Sequence, residues 1–336
     1  MAVRDAFDRP LGALRLSVTD RCNLRCRYCM PAERHDWLPR SEILSFAELC
    51  ALVDVFVRLG VGRVRITGGE PLLRRDLPTL VAMLAAKPAI RDLALTTNGL
   101  LLGALARPLR AAGLGRITVS LDTLRVDRFE RLTRRDGLGQ VLAGLEAARK
   151  AGFSPIKLDA LLLRGINDDE IFDLLELARS AGAELRFIEY MDMGDATGWR
   201  PEQVVPQAEI LARVQERYGA PLPFGDRGSA PAARYRLGDG LVFGVVSGTS
   251  APFCTACDRG RLTAGGMFYG CLYATQGTDL KAPLRAGASA AELAGILQRS
   301  WTERRDRSAE ERWRRQLAAG AELGEGPRVE MHERGG

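Results

Sequence analysis

The sequence has no long apolar run, and other shortages narrow further what the protein can be. None of its 336 residues falls in a hydrophobic stretch near the roughly 20 residues of a membrane-spanning helix, so we expect no membrane association. The first ten residues lack the apolar core of a secretion signal, which predicts a cytoplasmic protein. Lysine occurs only four times among 48 basic residues, and the net charge of +6 is dispersed. Such a charge indicates a solvated surface, so no nucleic-acid partner is expected.

Seven cysteines stand out in a chain whose composition is otherwise that of a soluble globular protein. In the reducing cytoplasm they are poor disulfide candidates, so their spacing indicates metal binding or catalysis. The length allows one large α/β domain with a smaller appendage, and no disulfide or metal is needed merely to keep it folded.

Apolar, β-branched runs alternate with segments of helical spacing. This alternation predicts a parallel sheet with helices outside, and six βα units predict a partial (βα)6 barrel of the TIM type, not a closed eight-stranded barrel. The predicted strands are residues 14–18, 64–67, 93–97, 117–121, 156–162 and 185–188. The predicted helices include residues 46–59, 77–86, 141–151 and 171–181.

The fold class is therefore α/β, with a C-terminal region that covers the open side of the barrel. A Gly- and Pro-rich segment, residues 219–233, predicts a linker between a barrel domain, residues 1–225, and a C-terminal region, residues 226–336. In residues 290–317 charges surround scattered Leu and Trp, which predicts a solvated helix. Distinctive residues follow the first three strands, and the carboxyl ends of parallel strands should bring them to one face.

Three cysteines, Cys22, Cys26 and Cys29, lie within eight residues in the pattern C-x3-C-x2-C. Three thiolates can hold three irons of a 4Fe-4S cube and leave the fourth iron open to an external ligand. A zinc site is the alternative, but it needs four ligands, and the candidates are His35 and the more distant Cys50. Cys50 falls in a helical run, and we expect it to be a small buried side chain.

A second incomplete set consists of Cys254, Cys257 and Cys271, in the pattern C-x2-C-x13-C. It predicts a second 4Fe-4S cluster with one open iron, and a zinc knuckle is the alternative. Arg259 and Arg261 follow Cys257 at alternate positions, so in an extended segment both point toward a ligand at the cluster. Arginines gathered in one cavity would offset the charge of an anion, whereas surface positions are the simpler alternative in so arginine-rich a chain.

At the first triplet the sequence resembles the radical S-adenosylmethionine superfamily. The resemblance implies a cluster that reduces the sulfonium of S-adenosylmethionine and releases a 5′-deoxyadenosyl radical. It also implies that the cofactor pocket is lined by Tyr28, Gly69, Ser120 and Met191. The pair Gly68-Gly69 follows a strand, where glycine lets the backbone approach a ligand closely. Taken singly, these residues are an ordinary turn, a strand-end serine and a packing methionine.

The two triplets together resemble the GTP 3′,8-cyclase family of molybdenum cofactor biosynthesis, and the match runs essentially from end to end. It is carried by segments such as Leu14-Arg-Leu-Ser-Val-Thr-Asp-Arg-Cys22 and Arg65-Ile-Thr-Gly-Gly-Glu-Pro71. The resemblance implies that the open iron of the second cluster contacts the guanine of GTP while basic residues hold the triphosphate. The implied GTP contacts are Arg15, Arg65, Thr96, Lys157, Arg259, Gly260 and Arg261.

By the same resemblance, the radical removes hydrogen from ribose C3′ of GTP, and C3′ then bonds to guanine C8. The resemblance therefore implies that the catalytic residues are Cys22, Cys26, Cys29, Arg259 and Arg261. A reductase or flavodoxin would supply electrons, and a cyclic pyranopterin monophosphate synthase would act on the product. The oligomeric state stays open, with a homodimer among the options.

Two details concern the C-terminal region. The family usually has asparagine where this chain has Asp258, which adds negative charge near the second cluster. The final Gly335-Gly336 resembles a family tail that reaches into the active site, and an ordinary frayed terminus is the alternative.

Two other functions compete with the cyclase. Another radical enzyme, for example one that modifies a peptide, would usually carry more C-terminal cysteines. A non-catalytic zinc-binding protein would hold zinc at the triplets, with no iron or sulfide.

Overall fold

The computed structural model describes residues 2–30, 35–192, 197–319 and 331. Its strands are β1 Ala13–Ser17, β2 Arg63–Thr67, β3 Asp92–Thr97, β4 Arg116–Ser120, β5 Ile156–Leu162, β6 Ala183–Glu189, β7 Leu222–Pro223, β8 Ala233–Arg236, β9 Val242–Val246, β10 Arg259–Leu262, β11 Met267–Tyr269 and β12 Thr278–Asp279. Its helices are α1 Phe46–Arg58, α2 Leu77–Ala85, α3 Leu102–Ala111, α4 Val126–Thr133, α5 Leu138–Lys150, α6 Ile171–Ala181, α7 Gln207–Tyr218, α8 Lys281–Arg285, α9 Ala290–Thr302 and α10 Ser308–Ala319.

All twelve strands belong to one sheet, in the order β12-β11-β10-β1-β2-β3-β4-β5-β6-β9-β8-β7. Strands β1 to β6 pair in parallel with their sequence neighbours, as the βα alternation requires. The two end strands, β12 and β7, do not pair with each other, so the barrel is open. The predicted α/β class and partial barrel are confirmed, and each of the six predicted strands overlaps one of β1 to β6.

The C-terminal region extends this sheet at both edges. Strand β10 pairs in parallel with β1, and β9 pairs in parallel with β6. Part of the predicted linker is itself a strand, because β7 pairs with β8 through Leu222 and Arg236. The division into residues 1–225 and 226–336 stays a prediction.

Two helices of the barrel were not predicted from the sequence. Helix α3 buries Leu102, Ala106 and Leu109, but Gly103 and Pro108 inside it obscure the helical signal. Helix α4 has only eight residues, and most of them are polar or charged. The turn before α5 is formed by Gly137, which has a φ of 154°.

The prediction of a solvated C-terminal helix is wrong for α9. This helix begins at a capping box on Ser289 and buries Leu293, Leu297 and Trp301. The three residues are four positions apart, so they lie on one face of the helix, and that face packs toward α1. The charges that suggested solvation occupy the rest of the surface. No helix in the described part of the chain has the length and apolarity that a membrane crossing requires.

Candidate active site

A cavity of about 470 Å³ runs through the barrel from the carboxyl ends of the parallel strands to their amino ends. All six cysteines of the two triplets line it, together with the strand-end residues Gly69, Ser120 and Met191. It also receives basic side chains from several strands, described below. The predicted face therefore exists at the carboxyl end, where the N-terminal triplet follows β1. The C-terminal triplet lies at the opposite end of the cavity, where Cys257 precedes β10, the parallel neighbour of β1.

The N-terminal triplet lies in the loop after β1. The loop turns tightly, because the backbone N–H groups of Cys29 and Met30 both donate to the carbonyl of Cys26, at 3.0 and 2.8 Å. Burial raises the pKa of Cys22 to about 11 and raises the pKa of Cys26 well above its ordinary value. Thiols in such surroundings become thiolates when a metal binds them, so the donor set fits an iron-sulfur cluster.

Gly68 and Gly69 serve close packing of the backbone beside that loop. A Cβ on Gly69 would lie 2.4 Å from the carbonyl oxygen of Arg21, and one on Gly68 would lie 2.6 Å from that of Thr19. The Gly69 N–H donates to the Thr19 carbonyl at 2.9 Å. The backbone after β2 is therefore in direct contact with the cysteine loop. This contact requires glycine at positions 68 and 69, in addition to any close approach to a ligand.

Glu70 was not predicted as a site residue, yet it is buried at the cavity wall. Its carboxylate accepts hydrogen bonds from the N–H groups of Leu72 and Asn98 at 2.9 and 2.7 Å, and from the Thr97 hydroxyl at 2.7 Å. Burial raises its pKa to about 7 in spite of these donors. The Glu70 carboxyl thus ties the end of β3 to the glycine segment.

Tyr28 reaches from the cysteine loop to the end of β4. Its hydroxyl donates to the carboxylate of Asp122, whose other oxygen accepts the Leu161 N–H at 2.8 Å. Burial raises the pKa of Tyr28, and that of Asp122 to about 6. Met191 lies against Gly248, where a Cβ would be 2.5 Å from the Met191 sulfur. The four residues predicted to line the cofactor pocket are therefore gathered in one cavity.

The C-terminal triplet has different surroundings. Cys254 begins a short turn, and the N–H of Cys257 donates to its carbonyl at 3.2 Å. Burial raises the pKa of both Cys254 and Cys271. Burial also raises the pKa of Cys257, but the guanidinium groups of Arg259 and Arg304 outweigh it and bring that pKa down to about 7. This site is therefore rich in positive charge.

Arginines from three neighbouring strands form a row across the cavity. The strand register pairs Arg15 on β1 with Arg65 on β2 and with Arg261 on β10. Burial lowers the pKa of Arg15, and the charges of Arg261, Arg65 and Arg259 lower it further. Like charges held together in a buried row destabilise one another, so an anion bound among them would be strongly favoured.

The row continues along β3, β4 and β5. Thr96 is registered with Thr118, and Thr118 with Lys157. The Arg65 guanidinium donates to both threonine hydroxyls, at 3.3 and 3.0 Å. Lys157 donates to Glu184 at 3.1 Å, and burial lowers its pKa. The predicted GTP contacts Arg15, Arg65, Thr96 and Lys157 thus lie on one stretch of the sheet, with Thr118 of β4 between Thr96 and Lys157.

Arg259 and Gly260 occupy different environments although they are adjacent. Arg259 lines the cavity, and its buried Nε atom has no hydrogen-bond partner in the described structure. Gly260 is not among the cavity-lining residues, and a Cβ there would lie 2.7 Å from the Phe268 ring. Alternation along β10 explains the difference, since neighbouring positions face opposite sides of the sheet. The contact between Gly260 and GTP stays a prediction.

Four further basic residues line the cavity and were not predicted: Arg304, described above beside Cys257, and three that lie on barrel strands. Arg63 pairs with the buried Asp258 and donates to the Ser229 hydroxyl at 2.9 Å. The other two are Arg116, paired with Asp92, and Arg186, which donates to Asp159 at 2.7 Å. The alternate spacing of Arg63 and Arg65 on β2 was the available signal, because the same spacing singled out Arg259 and Arg261.

Comparison with known proteins agrees with both halves of the chain. Residues 16–178 match the model of the radical SAM superfamily, and residues 183–310 match that of Molybdenum Cofactor Synthesis C. "GTP 3′,8-cyclase 3" of Mycobacterium bovis is 49% identical over 99% of this chain and 90% of its own length. "GTP 3′,8-cyclase" of Acidothermus cellulolyticus is 51% identical over 92% of this chain and 88% of its own.

The chain belongs to the GTP 3′,8-cyclase family. This finding confirms the family resemblance of the sequence and decides against the zinc-binding alternative. Enzymes of the GTP 3′,8-cyclase family use S-adenosylmethionine and iron-sulfur clusters, and the two thiol triplets described above are suitable donors. Within the described ranges, no three His, Cys, Asp or Glu side chains are grouped closely enough to hold a single metal ion.

A solved structure outside the GTP 3′,8-cyclases shares the fold. Streptococcus suis SuiB bound to S-adenosylmethionine superimposes with a TM-score of 0.60 at 15% identity, over 86% of this chain and 68% of that one. At this identity the likeness concerns the fold alone. It supports the assignment of an open radical SAM barrel extended by a C-terminal region.

Proposed function

We propose that this protein converts GTP to (8S)-3′,8-cyclo-7,8-dihydroguanosine 5′-triphosphate, the first step of molybdenum cofactor biosynthesis. The single observation that carries the proposal is that one cavity contains two separate cysteine triplets and, between them, a row of buried cations. A radical enzyme acting on a neutral substrate would not need the row of cations.

The N-terminal side of the cavity would hold the first cluster and S-adenosylmethionine. Cys22, Cys26 and Cys29 would bind three irons of a 4Fe-4S cube, which leaves one iron for the methionine end of the cofactor. When bound, this pair supplies a 5′-deoxyadenosyl radical that removes hydrogen from ribose C3′. The protein's own contribution is placement: Gly69, Tyr28, Ser120 and Met191 form the walls that orient the cofactor.

The C-terminal side would hold the second cluster and the purine. Cys254, Cys257 and Cys271 would bind three irons of the second cube, whose open iron would face the guanine. Arg259 and Arg261 extend from this triplet toward the cation row.

The triphosphate would lie along the row that begins with Arg15 and Arg65 and continues to Thr96 and Lys157. Anchoring the triphosphate fixes the ribose relative to the guanine, so C3′ and C8 can meet in one orientation. Arg259 has a free buried donor, Nε, suited to an anionic or carbonyl oxygen of the substrate.

Several partners belong to the same proposal. A reductase or flavodoxin would deliver electrons, and a cyclic pyranopterin monophosphate synthase would take up the unstable product. The cytoplasmic location and a homodimeric state also stay predictions. Gly335-Gly336, expected to reach the active site, lies outside the described residues.

The test is anaerobic incubation of the iron-reconstituted protein with dithionite, S-adenosylmethionine and GTP. GTP should disappear in parallel with release of 5′-deoxyadenosine, and the cyclised triphosphate should be detected by mass spectrometry. The protein should contain about eight irons, as two 4Fe-4S clusters require. Cleavage of S-adenosylmethionine beside unchanged GTP would instead indicate a radical enzyme with another substrate, such as a peptide.

A further inference from the structure

The C-terminal triplet is braced by a buried group of three charged residues, Asp5, Arg9 and Arg304. Their side chains are almost completely buried, with exposed fractions of 0, 2 and 2%. One oxygen of Asp5, Oδ2, accepts hydrogen bonds from Arg9 Nε at 2.7 Å and from Arg304 Nη1 at 3.0 Å. A buried charge group of this kind is costly to form unless its members are well paired, and these are.

Each arginine of this group also holds the main chain of a cluster cysteine. Arg9 Nη1 donates to the carbonyl of Cys254 at 2.8 Å, and Arg304 Nη1 donates to the carbonyl of Cys257 at 3.0 Å. The two cysteines are thereby linked through Asp5, a residue about 250 positions away in sequence. Neither thiol is used in these bonds, so all sulfur atoms stay available for iron.

Arg304 reaches the third cysteine as well. Its aliphatic stem packs on Gly270, the residue before Cys271, where an added Cβ would lie 3.1 Å from Cδ of Arg304. The guanidinium stacks on the ring of Trp301 at 4.5 Å, and the indole N–H of Trp301 donates to the carbonyl of Arg9 at 3.1 Å. Helix α9 thus anchors the group from the other side.

We propose that Asp5, Arg9 and Arg304 are positioning residues that set the spacing of Cys254, Cys257 and Cys271 and tune the reduction potential of the second cluster. Beside the cluster, the charges of the two guanidinium groups act against the Asp5 carboxylate and the Asp306 carboxylate, which lies 3.8 Å from Arg304, so removing any one of them changes the field at the cluster. Positive charge favours the reduced, more negative cluster. The inference rests on the proposed second cluster.

The experiment compares Arg304→Lys and Arg304→Gln in the full chain with both clusters. Lysine keeps the charge but lacks the planar guanidinium that stacks on Trp301 and directs Nη1 to both Asp5 and the Cys257 carbonyl. We expect iron release from the second cluster to a chelator to accelerate at least about tenfold in both variants, in the range found for groups that support metal ligands. The midpoint potential, followed by EPR, should become more negative in Arg304→Gln and stay near wild type in Arg304→Lys.

Asp5→Asn provides a prediction of opposite sign. Loss of the carboxylate leaves both guanidinium charges uncompensated, so the midpoint potential of the second cluster should become less negative. If Asp5 and Arg304 had only a structural role, their substitutions would not shift the midpoint potential of the second cluster in opposite directions. If Arg304→Gln or Asp5→Asn folds poorly, Arg9→Lys keeps the charge and tests the bracing of Cys254 alone, again by iron release.

The matched control is Arg285→Gln, which removes a surface arginine on α8 paired with Glu48 at 2.7 Å. It should leave iron release and both potentials unchanged, and cleavage of S-adenosylmethionine by the first cluster should be normal throughout. Wild-type iron release and potential in every variant would overturn the inference. A failure of the proposed function looks different, because the wild-type protein would then leave GTP unchanged, whereas only about four irons per wild-type chain would mean that the second cluster itself is absent.

Discussion

Burial dominates the surroundings of the N-terminal triplet, where it raises the pKa of Cys22 to about 11. Around the C-terminal triplet, arginines outweigh burial and bring the pKa of Cys257 to about 7. The two loops are also held differently. The N-terminal loop is closed by hydrogen bonds within itself to the Cys26 carbonyl, and it packs on the glycines after β2. The C-terminal loop is instead held by hydrogen bonds from arginines distant in sequence.

Under the proposed function, the same incomplete set of three thiols would serve two different ligands. A site of low charge suits S-adenosylmethionine, whose sulfonium and ammonium are balanced only in part by a carboxylate and which would be repelled by arginines. A site beside buried cations suits a nucleotide triphosphate. Three cysteines would leave one iron of a 4Fe-4S cluster without a protein ligand. The charge around the cysteines would then decide which ligand binds that iron.

The largest expected effect tests whether the two sites are separable. Changing Cys257 to Ser should abolish GTP conversion while the first cluster still binds S-adenosylmethionine, whereas changing Cys26 to Ser should abolish cofactor cleavage itself. Product analysis and cofactor titration of each variant measure this. Loss of S-adenosylmethionine binding in Cys257→Ser would break the comparison.

Removing one positive charge from the row should weaken the binding of GTP without weakening the binding of S-adenosylmethionine. In Arg15→Met, loss of charge-assisted contacts worth about 1.5–3 kcal/mol should lower kcat/KM for GTP about 10- to 100-fold. The free energy of unfolding without GTP should not fall, because burial and like charges already disfavour Arg15.

Steady-state kinetics and denaturant unfolding check the Arg15→Met prediction, with Arg285→Met as the surface control. Equal loss of affinity for S-adenosylmethionine would show that the row does not distinguish the two ligands.

Adding a methyl group at Gly69, on the side proposed for S-adenosylmethionine, should weaken the binding of that cofactor and leave the binding of GTP unchanged. In Gly69→Ala the new Cβ would meet the Arg21 carbonyl, so the cysteine loop must shift at a cost of about 1–3 kcal/mol. We expect affinity for S-adenosylmethionine to fall about tenfold, with direct GTP binding preserved. Calorimetry with each ligand separates the two, and Gly139→Ala, which has open space around it, is the matched control.

The smallest effect is expected at Asp258, whose charge is paired with Arg63. Asn can still accept a hydrogen bond from Arg63 but removes a buried negative charge near the second triplet. Asp258→Asn should therefore tighten GTP binding by less than about tenfold, the equivalent of 1.4 kcal/mol. Equilibrium binding measures it. Weaker binding would mean that Asp258 contacts the substrate directly.

Sequence patterns were sufficient to predict features that depend on a single helix or strand. The βα alternation predicted the strands of the barrel, and the spacing of Arg259 and Arg261 predicted a shared direction. Interactions between distant elements gave no local signal. Asp5, Arg9 and Arg304 resembled any other surface charges until the fold buried them together.

The extension of the sheet at both edges has a consequence for how the enzyme could be divided. The segment after residue 225 supplies the hydrogen-bonding neighbours of β1 on one side and β6 on the other. Cutting the chain there would strip two strands of their partners and expose unpaired edges prone to aggregation. The barrel and the C-terminal region are thus two stretches of one sheet, which would hold the two reaction partners of the proposed function at a fixed separation.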